Sequence, residues 1–144
     1  MSDNPFSNFN IEIPKKYSEK IKSYCATGGG SGSRELCPFE RQVDFWYCAF
    51  LLAISKELSP VVERDTYNAT GATILTTDPY RITHIRATFL SISKDLSGLA
   101  DNKKVFDFAI GMANAGIPLL IQILDDDEQK PIWNILDEIE SRVG

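Results

Sequence analysis

The side chains most able to bind a metal ion or act as a nucleophile in this chain are three thiols and one imidazole: Cys25, Cys37, Cys48 and His84. Structural zinc sites use pairs of ligands two to four residues apart, and no such pair occurs among these four. A cysteine nucleophile needs an adjacent base, and nothing in the sequence brings a thiol beside His84. We therefore predict no catalytic residue, no metal site and no bound cofactor.

A glycine-rich stretch from Gly28 to Ser33 invites comparison with loops that bind phosphate. A P-loop follows a strand and ends in Gly-Lys-Ser/Thr, whereas here a helix is expected before the stretch and Arg34 follows it. The dinucleotide pattern fails as well, because position 33 is not glycine. Arg34 and the free amides before the next helix could still hold an anion. We expect residues 26–36 to form a flexible loop.

Four consecutive acids form the most acidic stretch of the chain: Asp125, Asp126, Asp127 and Glu128. An EF-hand loop needs alternating oxygen ligands and a central glycine, which this run lacks, so no metal loop is predicted. Residues 125–144 hold seven acids and two bases, which accounts for the whole net charge of −5 and leaves the rest of the chain neutral. We predict that the four acids bind a partner protein, the alternative being a solvated connection between helices.

The opposite charge is concentrated in residues 14–24, where four lysines accompany one glutamate. With the loop arginine, these lysines are the nucleic-acid contacts that we predict: Lys15, Lys16, Lys20, Lys22 and Arg34. The isoelectric point near 4.9 makes the overall field unfavourable for nucleic acid, so such contacts would be weak and sensitive to salt. A solvated helix face is the alternative.

A third polar group surrounds His84, where Asp78, Arg81 and Arg86 are close in sequence. Arg81 and Arg86 are five positions apart, so they do not share one face of a helix closely. We expect the satisfied polar edge of a core helix, with an arginine pair that meets a phosphate or a partner carboxylate as the alternative.

The elements that must position these residues are mainly helices. Phe45–Ile54 is a run of ten apolar residues, about half of a membrane span, which indicates the central helix of a soluble core. Asp78-Pro79 is a helix start with an acceptor at the cap and proline at the first position. Gly116 and Pro118 are expected to interrupt a later helix. The expected helices are Pro14–Cys25, Pro38–Ile54, Asp78–Asp95, Lys103–Asn114, Ile117–Leu124 and one that begins at Pro131.

Periodicity also predicts which side chains face the core. We expect Ile92 to point inward on the helix that begins at Asp78. The last helix is expected to bury its apolar residues: Ile132, Ile135, Leu136, Ile139 and Val143. Alternation over Phe9–Ile13 predicts a short extended segment, and Ala72–Thr76 is either a short strand or a buried loop.

Together these elements predict an all-α fold, a compact single-domain orthogonal bundle of five or six helices with at most one short two-stranded extended element. We place an N-terminal arm at residues 1–13 and the helical domain at residues 14–144, and 144 residues suit one domain. The first fourteen residues lack the features of a signal peptide, and unpaired thiols suit a reducing compartment. We therefore expect a cytoplasmic protein that does not enter a membrane.

Three stretches carry a resemblance to a known family: the Pro38-Phe39 opening before Val43–Ala53, the Ile82–Leu90 helix, and Phe106–Leu120. Within the last stretch, Ala113–Ile117 is similar to an alanine-asparagine-glycine-glycine-leucine motif. On these grounds the region Cys37–Leu124 resembles the DNA phosphorothioation-associated (Dnd system-associated) protein 4 family. The resemblance implies a bacterial protein that accompanies DNA sulfur modification and anti-phage defence, with no catalytic residue to carry over. It also implies a continuous helix where Pro118 predicts a break.

These observations support three hypotheses about function. The first is a non-catalytic accessory or adaptor protein that mediates protein–protein association in a bacterial anti-phage defence or DNA-modification system, where its partner is a larger subunit. The second is a nucleic-acid-binding module that uses the lysine-rich first helix. The third is a small enzyme or nucleotide binder at the glycine-rich loop. A homo-oligomer is compatible with all three.

Overall fold

Seven regular elements make up the part of the chain that the computed structural model describes, which is residues 4–26, 37–126 and 131–143, with side chains described as far as Glu140. In chain order they are β1 (Asn10–Pro14), α1 (Ser18–Ser23), α2 (Gln42–Ser55), β2 (Thr66–Gly71), α3 (Pro79–Ser93), α4 (Asn102–Leu124) and α5 (Pro131–Val143). Short 3-10 turns occupy Lys15–Tyr17, Ala72–Thr77 and Gly98–Ala100. The prediction of a compact, mostly helical bundle with one small two-stranded sheet is confirmed. The predicted loop lies outside the described residues from position 27 to position 36.

Helix α4 is the centre of the hydrophobic core, and its most extensive contact is with α2. Trp46 and Phe50 from α2 and Ile117 from α4 are fully buried between them. At the closest point Gly116 faces Ala49, where an added Cβ would collide with the Ala49 carbonyl group, 2.8 Å from its carbon. The two helix backbones therefore approach this closely only because residue 116 has no side chain.

Helix α4 runs without interruption, so the break predicted at Gly116 and Pro118 is wrong. Pro118 lacks the N–H that would bond to the carbonyl of Asn114, a loss of about 3 kcal/mol in a helix interior. Ile117 and Leu120 on either side of the proline are buried in the core, and each burial contributes about 2 kcal/mol. Tertiary packing thus offsets the preference of Pro118 for interrupting the helix.

The sheet consists of β1 paired antiparallel with β2. The extended segment expected over Phe9–Ile13 is confirmed by β1, and Pro14 ends this strand rather than beginning a helix. The strand considered for Ala72–Thr76 is wrong, because these residues form a 3-10 turn directly after β2. Ala72 and Leu75 are one such turn apart, and both are buried.

The N-terminal residues belong to the core from Phe6 onward, so the arm expected at residues 1–13 is wrong for this part of the chain. Phe6 is fully buried, and its ring centre lies 5.3 Å from that of Phe106 on α4. Ile11 and Ile13 of β1 are fully buried as well. No periodic pattern surrounds Phe6 in the sequence, which is why its burial was not expected.

Of two helix starts predicted from the sequence, the structure confirms that of α3 and not that of α2. The start of α3 at Asp78-Pro79 is confirmed, although the Asp78 carboxylate bonds to Arg41 rather than to the first amides of the helix. Helix α2 begins at Gln42 and not at Pro38.

Near the end of α3, Ile92 is exposed, so the prediction that it faces the core is wrong.

Lys94 ends α3 in the left-handed conformation, with φ of 59°, and its N–H donates to the Leu90 carbonyl. Glycine adopts this conformation without the steric penalty that a Cβ brings. We expect Lys94→Gly to raise the free energy of unfolding by up to about 1 kcal/mol, as measured by urea denaturation. Lys94→Ala removes the same charge and keeps the Cβ, so it should give no such gain. Equal stability of the two variants would contradict the prediction.

Helix α4 is long and apolar enough to cross a membrane by length and composition alone. Half of the most apolar 18-residue stretch of this helix is buried inside the fold, where α4 packs against α2, α3 and α5. A central core helix meets the same test, so this property is weak evidence for a membrane location.

Candidate functional site

A network of four charged side chains joins α2 to α3. Arg41 donates to Asp44 Oδ1 at 2.8 Å and to Asp78 Oδ2 at 2.9 Å. Arg81 donates to the same Asp44 oxygen at 3.1 Å. Burial raises the pKa of Asp44, but hydrogen bonds from Arg41 and Arg81 outweigh it and hold that pKa below its usual value. The hydrogen bond from Arg41 is the main cause that lowers the pKa of Asp78.

Aromatic and imidazole groups continue this network. The Tyr47 hydroxyl and His84 Nδ1 share a hydrogen bond of 2.6 Å, and the Arg81 guanidinium lies 4.6 Å from the centre of the Tyr47 ring. Burial is the main cause that raises the pKa of Tyr47. Asp78, Arg81 and His84 are each paired, so the satisfied polar edge predicted for α3 is confirmed for these three residues and is wrong for Arg86, whose Nε is buried without a partner. This arrangement holds two helices together.

The thiols are placed for packing rather than for reaction. Burial, then Asp44 and Cys37, raise the pKa of Cys25 to about 12, and burial raises the pKa of Cys48 to about 11. Cys37 donates to the Ser23 carbonyl across 3.1 Å. Thiols with raised pKa values are protonated at neutral pH and are weak nucleophiles. Within the described residues, no three His, Cys, Asp or Glu side chains are grouped to hold a metal ion.

The lysines proposed for nucleic-acid binding are exposed, but most already have partners inside the protein. Lys16 contacts Glu63 at 3.2 Å, and the Lys22 ammonium lies 5.2 Å from the centre of the Tyr67 ring. Lys15 is exposed beside them. A nucleic acid would have to compete with these contacts. The nucleic-acid hypothesis stays a prediction, and this geometry does not strengthen it.

The basic and acidic clusters meet each other in the fold. Lys20 contacts Asp125 at 3.0 Å, and the Tyr24 hydroxyl donates to the same carboxylate. The Asp126 backbone carbonyl accepts a hydrogen bond from the buried Asn134 side chain at 3.1 Å. Asp125 and Asp126 therefore help to anchor the end of α4. Three other predicted site residues lie outside the described part of the chain: Arg34, Asp127 and Glu128.

Helix α5 has an apolar face that remains exposed. The exposed fractions of Trp133, Leu136 and Ile139 are 49%, 40% and 52%. The prediction that Leu136 and Ile139 face the core is therefore wrong. The side of α5 that carries Asn134 and Ile135 is the one turned toward the fold, since Asn134 is buried and Ile135 packs against the core. Leu136 and Ile139 are therefore left at the surface, whereas the predicted inward position of Ile135 is confirmed.

This exposed face borders a groove of about 190 Å³ between α2, α4 and α5. At its rim Glu138 pairs with Lys56 at 3.3 Å. The groove and the exposed residues of α5 together form what we call the α5 surface. The groove walls are mainly aliphatic: Leu51, Leu52, Leu120, Ile123, Ile135 and Ile139.

Comparisons of the chain with protein-family models, curated proteins and solved structures return no match. The resemblance to the DNA phosphorothioation-associated protein 4 family stays a prediction. The α5 surface is the feature that sequence reasoning missed. Helical periodicity indicated an apolar stripe on this helix, but periodicity does not say which molecule covers the stripe.

Proposed function

We propose that the chain is a non-catalytic accessory protein that binds a helix of a partner protein on the α5 surface. The observation that carries this proposal is the exposure of Trp133, Leu136 and Ile139 beside an apolar groove. Contiguous apolar surface of this kind is characteristic of protein–protein contact sites. An amphipathic helix that lies in an apolar groove is a recurring mode of such binding.

Charge favours a different protein, rather than a second copy, as the occupant. The segment 125–144, which contributes α5 to this surface, has a net charge of −5. A symmetric dimer through this surface would bring two such segments together, and like charges oppose that association. A basic amphipathic helix would instead place apolar side chains in the groove and lysines or arginines against the surrounding carboxylates, which include Asp137 and Glu140.

The setting of this association is proposed from the sequence resemblance alone. A larger subunit of a bacterial anti-phage defence or DNA-modification complex, in the cytoplasm, is the partner that the resemblance implies. The four acids predicted to bind a partner enter this proposal in different ways. Asp127 and Glu128 supply negative charge just before α5, whereas Asp125 already serves the fold through Lys20 and Tyr24.

The first test uses the tryptophan on the α5 surface as its reporter. The chain has two tryptophans, and Trp46 is fully buried, so a change of emission on binding reports Trp133. A tryptophan-free Leu/Lys amphipathic peptide should shift the emission to shorter wavelength in a saturable way. A Leu/Glu peptide of the same pattern should not. Equal responses to both peptides, or none to either, would contradict the proposed charge preference.

Matched variants locate the binding. Leu136→Ser with Ile139→Ser removes two apolar anchors and should lower the affinity for the Leu/Lys peptide by at least about tenfold. Ile92→Ser with Leu96→Ser removes two exposed apolar residues on a different part of the surface and should leave the affinity unchanged. The same pair of variants applies to a tagged pull-down from the native host with nuclease added. A partner that the α5 double variant still recovers does not bind at this surface.

A further inference from the structure

A second pocket, independent of the α5 surface, lies between the N-terminal segment and one face of α3. Its volume is about 420 Å³, within the range of pockets that hold small molecules. Pro5 and Leu99 form two of its sides, and α3 supplies the rest. The residues from α3 are Pro79, Ile82, Thr83, Arg86, Ala87 and Leu90. Apart from Thr83 and Arg86, these side chains are apolar.

Among the described residues that line this pocket, Arg86 alone is charged. It has no ion-pair or hydrogen-bond partner among the described residues, and its Nε is buried without an acceptor. Arg41 and Arg81 are part-buried as well, and both bind carboxylates. Arg64 is exposed and therefore hydrated. Arg86 thus combines partial burial with an unsatisfied donor, a costly state for a charged group.

We propose that this pocket binds a small carboxylic acid with an apolar chain, its carboxylate on Arg86 and its chain against the aliphatic wall. A carboxylate fits the guanidinium group, since its two terminal amino groups offer parallel N–H donors to the two carboxylate oxygens, whereas Nε itself is buried. Thr83 provides a hydroxyl on the same helix face. The wall suits a hydrocarbon body rather than a phosphate group, which would favour several cations, whereas the described lining of this pocket offers one.

The test is a titration of the full chain with hexanoate, followed by two-dimensional ¹H–¹⁵N NMR. Hexanoate should shift the Arg86 Nε–Hε resonance and the Ala87 amide in a saturable way. Hexylammonium and hexanol have the same chain without the carboxylate and should bind at least about tenfold more weakly. Equal responses to the three compounds would overturn the proposal, because they would show non-specific partition into an apolar surface.

Variants assign the binding to Arg86. Arg86→Gln should reduce hexanoate affinity by about tenfold or more, whereas Arg64→Gln, which removes an exposed arginine, should not change it. Arg86→Lys keeps the charge and loses the fork, so its affinity should fall between those of wild type and Arg86→Gln. The amide spectrum and melting temperature of each variant confirm that it is folded. A lack of hexanoate response in the wild type would overturn the proposal.

Discussion

Gly116→Ala is expected to destabilise the protein by at least about 3 kcal/mol, or to prevent folding, as measured by urea denaturation. The added Cβ would collide with the Ala49 carbonyl group, which belongs to the backbone of α2 and cannot rotate away. Relief requires α2 and α4 to move apart, which would open the tightest part of the core. The expected sign is opposite to helix propensity, since alanine favours a helix over glycine by about 1 kcal/mol.

Gly71→Ala is the matched control for this prediction. A Cβ at Gly71 would make only ordinary contacts, 3.6 Å from the Thr73 hydroxyl oxygen and 3.9 Å from Asn10. This variant should stay within about 1 kcal/mol of wild type. Ala49→Gly should not rescue the Gly116 variant, because the colliding group is a backbone carbonyl. Wild-type stability of Gly116→Ala would show that α2 and α4 are not packed as described.

Local signals predicted the helices whose starts and faces are determined by neighbouring residues. Asp78-Pro79 located the start of α3, and the run Phe45–Ile54 located the body of α2. The same local reasoning predicted a break at Pro118, where the structure has a continuous helix. A proline penalty is a local quantity, whereas the burial that offsets it depends on α2, which lies far away in sequence.

Long-range pairing was the part of the fold that the sequence could not determine. Strand β2 has no strong alternation of its own and is defined by its partner β1. Phe6 is buried because it meets Phe106, one hundred residues later in the chain. Each contact joins distant segments, and a single sequence contains no direct record of such proximity.

The same limit applies to the candidate sites. Sequence proximity grouped Arg81 and His84, yet their partners Asp44 and Tyr47 lie on α2, in each case 37 positions away. The periodicity of α5 predicted its apolar stripe, placed Ile135 correctly against the core, and placed Leu136 and Ile139 there wrongly. The mismatch itself carries information, because an amphipathic helix whose apolar stripe stays exposed indicates a surface for another molecule.

Asp44→Ala is expected to cost about 2–4 kcal/mol in the free energy of unfolding. It removes the carboxylate shared by Arg41 and Arg81, and the Arg81 side chain is only 11% exposed. Arg41 keeps its contact with Asp78, so the main loss is an uncompensated charge at Arg81. Asp107→Ala removes an exposed carboxylate that pairs with Lys103 and should cost less than about 1 kcal/mol. Similar losses in the two variants would contradict this role of Asp44.

Acid unfolding provides a second measurement of the same network. The pKa values of Asp44 and Asp78 are lowered from 3.8 in the folded protein, so the folded state binds protons less readily than the unfolded chain. Their stabilising contribution is therefore fully present above the ordinary aspartate pKa and is lost as the pH falls through the lowered values. We expect the stability of wild type to decrease below about pH 4, and that of Asp44→Asn to decrease less steeply, in urea titrations at successive pH values. Parallel pH profiles for the two proteins would show that Asp44 is not bound to the arginines in solution.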